Sequence, residues 1–440
     1  MPYTGRLRSC GLAKESPAGT LTTPPTEFLR FIPPDSLSPK VTPLISKAIG
    51  TLPDVNIKQT LGVGEVTGQK LKFELEPENC LNIINAAFGT DTLAEVATFV
   101  VGNSNKYIDF KEDAGGAVAA TLATGTFAMG TASSQAGTLC AAVKTAMQAA
   151  GTGTYTVTYS YSTKKMTIAV SGAHSAVQIL WLSGTNNANA AYAVLGFTKV
   201  DTASAASVTS NSTASVAAFT HTFTRLASET LPQYTLWIDK GAKYQQIVGT
   251  MLNKFDLEMK AKELVTMDTE WVGASYDDTG AGQTPTYSSA RPYPFNTVSV
   301  SVDGSPVLGY DNLKMTINNM VKADHALSGS IWPAKVYSEG FEVDISAELF
   351  FEDTTQYAKF LAGTTANFAI TLTHIDDIAG AVAGTKYSIV LNVPAVVYTS
   401  ANVVNPAGVI KVPFIGKGMY NAATSNSASI VVKNSKYTAA

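Results

Sequence analysis

Histidines, cysteines and clustered carboxylates carry most protein chemistry, and this chain of 440 residues offers few productive arrangements of them. Its four histidines, His174, His221, His325 and His374, stand far apart, and none has a second histidine at metal-ligand spacing. Each reads as a surface or strand histidine. Cys10, Cys80 and Cys140 are widely separated and odd in number, which argues against a disulfide framework or a structural zinc site. No Gly-x-Ser-x-Gly elbow, phosphate loop or Cys-x-x-Cys pair occurs. Gly62-Val63-Gly64 with Gly68 imitates a dinucleotide turn, but the spacing is wrong and a strand pattern follows where a helix is needed. Asp278-Thr279-Gly280 has the residues of an aspartic protease loop. No apolar strand leads into it, however, and no second copy supplies the partner carboxylate. Asp376-Asp377 beside Gly380 reads as a turn. Catalysis, metal binding and a cofactor are therefore not expected.

Composition narrows the remaining classes. Hydrophobic residues make up 45% and charged residues 15%, against about 25% charged in an average domain. Lys plus Arg number 31 and Asp plus Glu 34, so no basic surplus exists for binding a phosphate backbone. Sparse charge over a long chain implies faces of Thr, Ser, Ala, Asn and Gly, as in proteins covered by copies of themselves. Nowhere do about 18 apolar residues run together, so no membrane contact is expected. The segment MPYTGRLRSCGLAKES lacks the apolar stretch of a signal peptide, which favours assembly in a reducing cytosol.

The elements that would position these residues are mostly strands. Residues 1–36, with Pro24-Pro25 and Pro33-Pro34, read as an extended arm. From Thr67 onward Leu71, Phe73 and Leu75 alternate with Lys70, Lys72, Glu74 and Glu76, the pattern of a half-buried strand. Pro77 then opens a helix over 78–88, with Leu81, Ile84 and Phe88 as its apolar stripe and Gly89 as its stop. The unit recurs. Residues 73–90 (FELEPENCLNIINAAFGT) align without a gap to 347–364 (AELFFEDTTQYAKFLAGT), which places a second helix over 352–361. Lys243-Tyr244 to Gly273 and Lys386-Tyr387 to Gly416 each span 30 residues of strand pattern. Duplication explains both observations.

The duplication locates an insertion. After Gly363-Thr364 the chain soon reaches the strand 368–373, whereas after Gly89-Thr90 the expected equivalent, 219–225, lies more than a hundred residues on. The segment between has its own pattern: strands at 99–101 and 107–110, a helix over 139–149, a hairpin from 155–161 and 165–170, then Trp181 and Leu195-Gly196-Phe197. A Ser/Ala/Thr-rich exit over 202–218 marks its boundary. The expected organisation is an arm over 1–36, a first unit over 37–93 plus 219–285, an inserted α+β domain over 94–218, and a second unit over 286–440. The fold class is mainly β with some α+β character: two duplicated antiparallel sandwich or barrel domains, one helix each.

The strand-helix units over 67–90 and 339–364, with closing strand pairs over 255–271 and 387–414, resemble the tail tube proteins of long-tailed bacteriophages. The inserted hairpin with its Trp-Leu-Ser-Gly and Leu-Gly-Phe segments is similar to a small module of phage structural proteins. The resemblance implies a virion subunit that assembles into stacked rings around a DNA-wide channel. Hexameric rings, or trimeric pseudo-hexameric rings for a fused pair of domains, are both implied. So are a tape measure protein and a tail terminator as partners, and the non-specific passage of double-stranded DNA. The alternative is a baseplate or adhesin component that binds a receptor; a saccharide-binding or hydrolytic β protein is weaker, for want of clustered carboxylates. A DNA channel should repel phosphate, which makes Glu342, Asp344 and Glu348 on one strand and Asp256 and Glu258 on a competing strand the lumen candidates. Aromatic residues in unpatterned segments, Phe28, Phe31, Tyr276, Tyr287 and Tyr293, are the inter-subunit candidates.

Overall fold

The computed structural model describes residues 9–22, 24–32, 38–46, 58–228, 231–241, 243–350, 354–401 and 410–437. Strands account for 51% of the chain and helices for 9%. The first part comprises β1 (Cys10–Lys14), β2 (Glu27–Leu29), β3 (Phe31–Ile32), β4 (Lys40–Ser46), β5 (Lys58–Glu74), α1 (Leu81–Phe88) and β6 (Gly89–Glu95). An inserted segment holds β7 (Phe99–Val101), β8 (Tyr107–Glu112), β9 (Val118–Thr121), β10 (Gly125–Phe127), α2 (Leu139–Ala150), β11 (Thr154–Ser160), β12 (Lys165–Ser171), β13 (Val177–Ile179) and β14 (Ser207–Thr209). The chain then returns through β15 (Phe219–Arg225), β16 (Tyr234–Asp239), β17 (Tyr244–Lys260), β18 (Thr266–Gly273) and β19 (Ser275–Asp277). The last part comprises β20 (Val298–Val302), β21 (Ser305–Pro306), β22 (Tyr310–Asn318), β23 (Val321–Asp324), β24 (Lys335–Ser338) and β25 (Glu342–Phe350). It closes with α3 (Thr355–Ala362), β26 (Ala366–Asp377), β27 (Lys386–Ala401), β28 (Lys411–Gly418) and β29 (Ser429–Asn434).

One strand order occurs twice. In the first half β2, β1, β16, β17, β18, β5 and β3 pair in that sequence, each with the next and all antiparallel. In the second half β21, β20, β26, β27, β28, β25 and β22 do the same. In each half a helix follows β5 or β25 along the chain and ends on a left-handed glycine, Gly89 at φ 92° and Gly363 at φ 63°. Only a residue without a Cβ adopts that conformation cheaply, which is why Gly-Thr closes both helices. A protruding hairpin also recurs, β4 with the start of β5 in one half and β23 with β24 in the other.

The ladders refine the sequence alignment. β16, not β15, occupies the place of β26; β15 instead pairs with β6 and with β29, which in turn pairs with β27. With Phe73 matched to Ala347, Met267 is the counterpart of Phe414, since each pairs with the matched residue. The two 30-residue spans are therefore out of structural register at their glycine ends, because residues 402–410 separate β27 from β28 whereas only 261–265 separate β17 from β18. Residues 1–36 are not a free arm where they are described: Cys10, Leu12 and Ala13 are fully buried, and β1 lies between β2 and β16. Strands of two to five residues are too short to show a period, so the sequence could not reveal them.

α1 begins at Leu81 rather than at Pro77, and all eight of its residues are buried. It exposes no side: β6, β15 and β17 pack on it, Asn82 donates to Glu27 at 2.7 Å, and Asn319 and Phe341 of the second half close over its C-terminal end. One apolar core runs through both halves, from Leu71, Phe73 and Phe255 to Ile345, Phe368 and Leu391. The insertion has a separate core around Phe110, Tyr155, Trp181, Leu195 and Phe197. Its elements fall where the sequence pattern puts them, with Thr138 capping α2 by accepting from the Ala141 amide at 3.3 Å. The two ends of the insertion lie side by side, Val96 N donating to Ala218 O at 3.0 Å.

Candidate assembly and channel surface

The two halves join through β17 and β22, which pair from Lys254–Asn318 to Lys260–Asn312. This junction makes β5, β18, β17, β22, β25 and β28 one continuous antiparallel sheet. Alternation sorts its residues into two faces. Leu71, Phe73, Met267, Phe255, Leu257, Leu313, Met315, Val343 and Ile345 face the core. The opposite face carries Lys70, Lys72, Glu74, Asp268, Glu270, Lys254, Asp256, Glu258, Lys260, Lys314, Glu342, Asp344, Glu348, Lys411 and Lys417. Glu76, read as the next residue of that face, lies beyond β5, buried and ion-paired to Arg30 at 2.8 Å.

The five acidic candidates therefore share one surface. Asp256 and Asp344 each flank Thr316, and Lys254 and Glu342 flank Asn318. The strand holding Asp256 and Glu258 does not compete with the strand holding Glu342, Asp344 and Glu348; β22 links them. Opposite charges tile the face: Lys72 reaches Asp268 at 3.2 Å and Glu258 at 3.6 Å, Lys314 reaches Asp256 at 3.0 Å, and Lys417 lies 3.8 Å from Asp344. Burial pushes the Asp256 carboxyl up, but donors from Thr316, Lys314 and Lys254 outweigh it and hold the group below its ordinary range. Glu258 is depressed in the same way, its desolvation outweighed by Lys260 at 2.7 Å. A depression of about 320 Å³ lies on this face, lined by Lys70, Lys72, Lys254, Asp256, Asp268 and Glu270 among others. Eight carboxylates and seven lysines leave the face close to neutral.

The aromatic candidates divide. Tyr293 is fully buried and Phe28 nearly so, both within their own chain, so neither is available to a second subunit. Short strand pairing and the Tyr293–His374 ring contact at 5.0 Å consume the surface that the sequence left unassigned. Phe31 is partly buried beside β5. Tyr276 packs on Trp332 with centroids 6.2 Å apart, and Tyr287 lies 5.1 Å beneath the Arg30 guanidinium while keeping exposed area.

One constellation escaped the sequence reading because its members are remote along the chain. Asp113 Oδ2 lies 2.8 Å from His174 Nδ1, and His174 Nε2 lies 2.8 Å from Thr152 Oγ1, the outline of a nucleophile triad. The Thr152 hydroxyl, however, donates to Glu112 Oε2 at 3.0 Å, so toward His174 its oxygen accepts, the opposite sense from nucleophile activation. Glu112 also accepts from the amides of Thr152 and Gly153 and from the Tyr155 hydroxyl. Burial raises its pKa, but these donors outweigh burial and bring it to about 2. The cluster ties α2, β8 and β11 together. His221 and His374 are buried strand histidines, His221 held by Asp91 and Lys436 O, each at 2.8 Å. Among the described residues no group of three or more potential ligands could hold a metal ion, and no helix is long and apolar enough to cross a membrane.

No curated protein matches the sequence. A family model described as phage tail tube protein matches residues 5–387, which hold the first strand repeat, the insertion and the second repeat as far as the start of β27. A mainly antiparallel β chain with a repeated strand order is what the sequence resemblance implied. The chain belongs to the phage tail tube protein family, and is a structural component of the virion tail.

Proposed function

We propose that this protein assembles into rings that stack into the tail tube, with the charged face of the six-stranded sheet lining the DNA channel. The carrying observation is that continuous sheet, apolar toward the core and near neutral on its open face. Lysines there are matched by carboxylates, so a passing phosphate backbone meets no net attractive field and little counterion release. The units of this reading are residues 9–95 with 219–277, and 298–418, with 97–217 as a domain on the outside of the ring. Two units per chain make three chains sufficient for six units around a ring. A tape measure protein within the channel and a terminator at its end are the partners this reading implies.

Electron microscopy and mass measurement of the purified chain test assembly and subunit number; six chains per ring would replace the trimer. The combined variant Glu342→Lys, Asp344→Lys and Glu348→Lys tests the channel face. Tubes are expected to form while DNA delivery slows and becomes salt-sensitive. Tubes with unaffected delivery would show that another face lines the channel.

A further inference from the structure

The chain's internal junction displays what a unit needs from its neighbour, and the same needs stand unmet at the chain's two ends. At the junction the second half covers the first in three ways. β22 pairs with the edge of β17. Asn319 and Phe341 close over the end of α1, Asn319 Nδ2 donating to Ala87 O at 3.1 Å and Phe341 lying 5.7 Å from the Phe88 ring. The hairpin of β23 and β24 packs Val321, Ala323 and Val336 onto Met251 and Val272.

In the second half each covered feature recurs uncovered. Ladder matching makes Tyr398 the counterpart of Phe255 and Ala401 that of Leu257. Residues 397–401 pair with β28 on one side and, among the described residues, with no strand on the other. Leu361 is the counterpart of Ala87; Ala87 is fully buried, whereas Leu361 is 68% exposed. Met419 is the counterpart of Val272; Val272 is 4% exposed and Met419 is 49% exposed. An open strand edge beside exposed apolar side chains is a surface awaiting a partner.

The first half carries the matching covers, likewise unused. β3 is the counterpart of β22, with Phe31 opposite Phe73 as Leu313 is opposite Ala347. The hairpin of β4 and β5 is the counterpart of β23 and β24, and its Val41, Leu44, Ile45 and Leu61 are exposed.

We propose that the first unit of a second copy of this chain docks on the second unit of the first copy, repeating the internal junction. β3 docks at the Ala401 end of the open edge, the β4–β5 hairpin covers Met419, and Thr67, the match of Phe341, meets the end of α3 at Leu361. The contact is heterologous: each chain uses two different surfaces, and repetition closes a ring or extends a filament. This inference rests on the tube reading and specifies its subunit contact.

Two single variants of the full chain test it, Leu361→Glu and Val41→Glu. Both residues are exposed in the single chain, so circular dichroism melting should match that of the unaltered chain. Each variant alone should need at least tenfold more protein to assemble. Mixed in equal amounts they should form dimers and stop, because each supplies the one intact surface that the other lacks. Ile32→Cys and Ser400→Cys, diagonal partners about 7–8 Å apart in the transposed ladder, should be joined between chains by a short bismaleimide. If the unaltered chain forms rings or tubes but the variants assemble equally well, or the mixture yields no dimer, this contact is overturned and the tube reading stands. If the unaltered chain stays monomeric, both fall.

Discussion

Asn319 Nδ2 donates to the carbonyl oxygen of Ala87 at 3.1 Å, so a side chain just past β22 closes the last turn of a helix more than two hundred residues earlier. The same amide donates to Leu252 O at 2.9 Å, on the strand that β22 pairs. Asn319 thereby ties helix, strand junction and hairpin at one buried point.

Replacing Asn319 with Leu leaves both carbonyls buried without that partner. The expected loss is about 2–6 kcal/mol, from one to three per unmet buried group, read from the urea midpoint at unchanged slope. A loss below about 0.5 kcal/mol would mean that water or a backbone shift satisfies them.

Lys436 Nζ lies 2.7 Å from Glu27 Oε1, joining the last described turn of the chain to β2. Glu27 also accepts from Asn82 at 2.7 Å, and burial pushes its carboxyl up despite Lys436. Lys436→Ala should cost on the order of 3 kcal/mol at pH 7.5, because it leaves a buried carboxylate without its counter-charge. A raised folded-state pKa favours the folded form at low pH and loses that benefit as pH rises through it. The deficit of the variant should therefore shrink as pH falls from 7.5 toward 5; a constant deficit would remove Glu27 from the explanation.

His374 titrates in the opposite sense. Burial lowers its pKa, and the Asp376 amide donates to Nδ1 at 3.0 Å, which leaves Nε2–H to donate to Arg291 O at 3.0 Å. Stability from the neutral ring is complete above the unfolded value of about 6.5 and is lost as pH falls below it. His374→Gln keeps a donor and an acceptor without the titration, so its stability should change less between pH 7 and pH 5 than that of the unaltered chain. Parallel curves would assign that pH dependence elsewhere.

The contact between Val96 and Ala218 makes the insertion removable. Replacing residues 97–217 by a short Gly-Ser joint should leave a folded chain that still assembles, since the insertion's core is its own. The cost should be confined to the seam, where Tyr437 and Phe219 lose their ring contacts with Tyr161 and Glu95 loses the Tyr161 hydroxyl and the Met129 and Gly130 amides. Loss of assembly on deletion would make the insertion a brace between subunits.

The sequence by itself determined what depends on near neighbours. Alternation at Leu71, Phe73, Val343 and Ile345 sets which side of β5 and β25 is apolar, and Gly89 and Gly363 stop two helices because each must turn left-handed. The strands and helix over 99–170 were legible for the same reason, having their own local pattern. Tertiary structure alone decided which strands meet. β17 pairs with β22 and β1 enters the sheet through hydrogen bonds between residues remote in the chain, and a period of two is silent about partners. That pairing merged Asp256 and Glu258 with Glu342, Asp344 and Glu348 on one face, and buried Phe28 and Tyr293 within the chain. It also buried Ala87 while leaving its counterpart Leu361 exposed, a difference of position in the chain that no local pattern can encode.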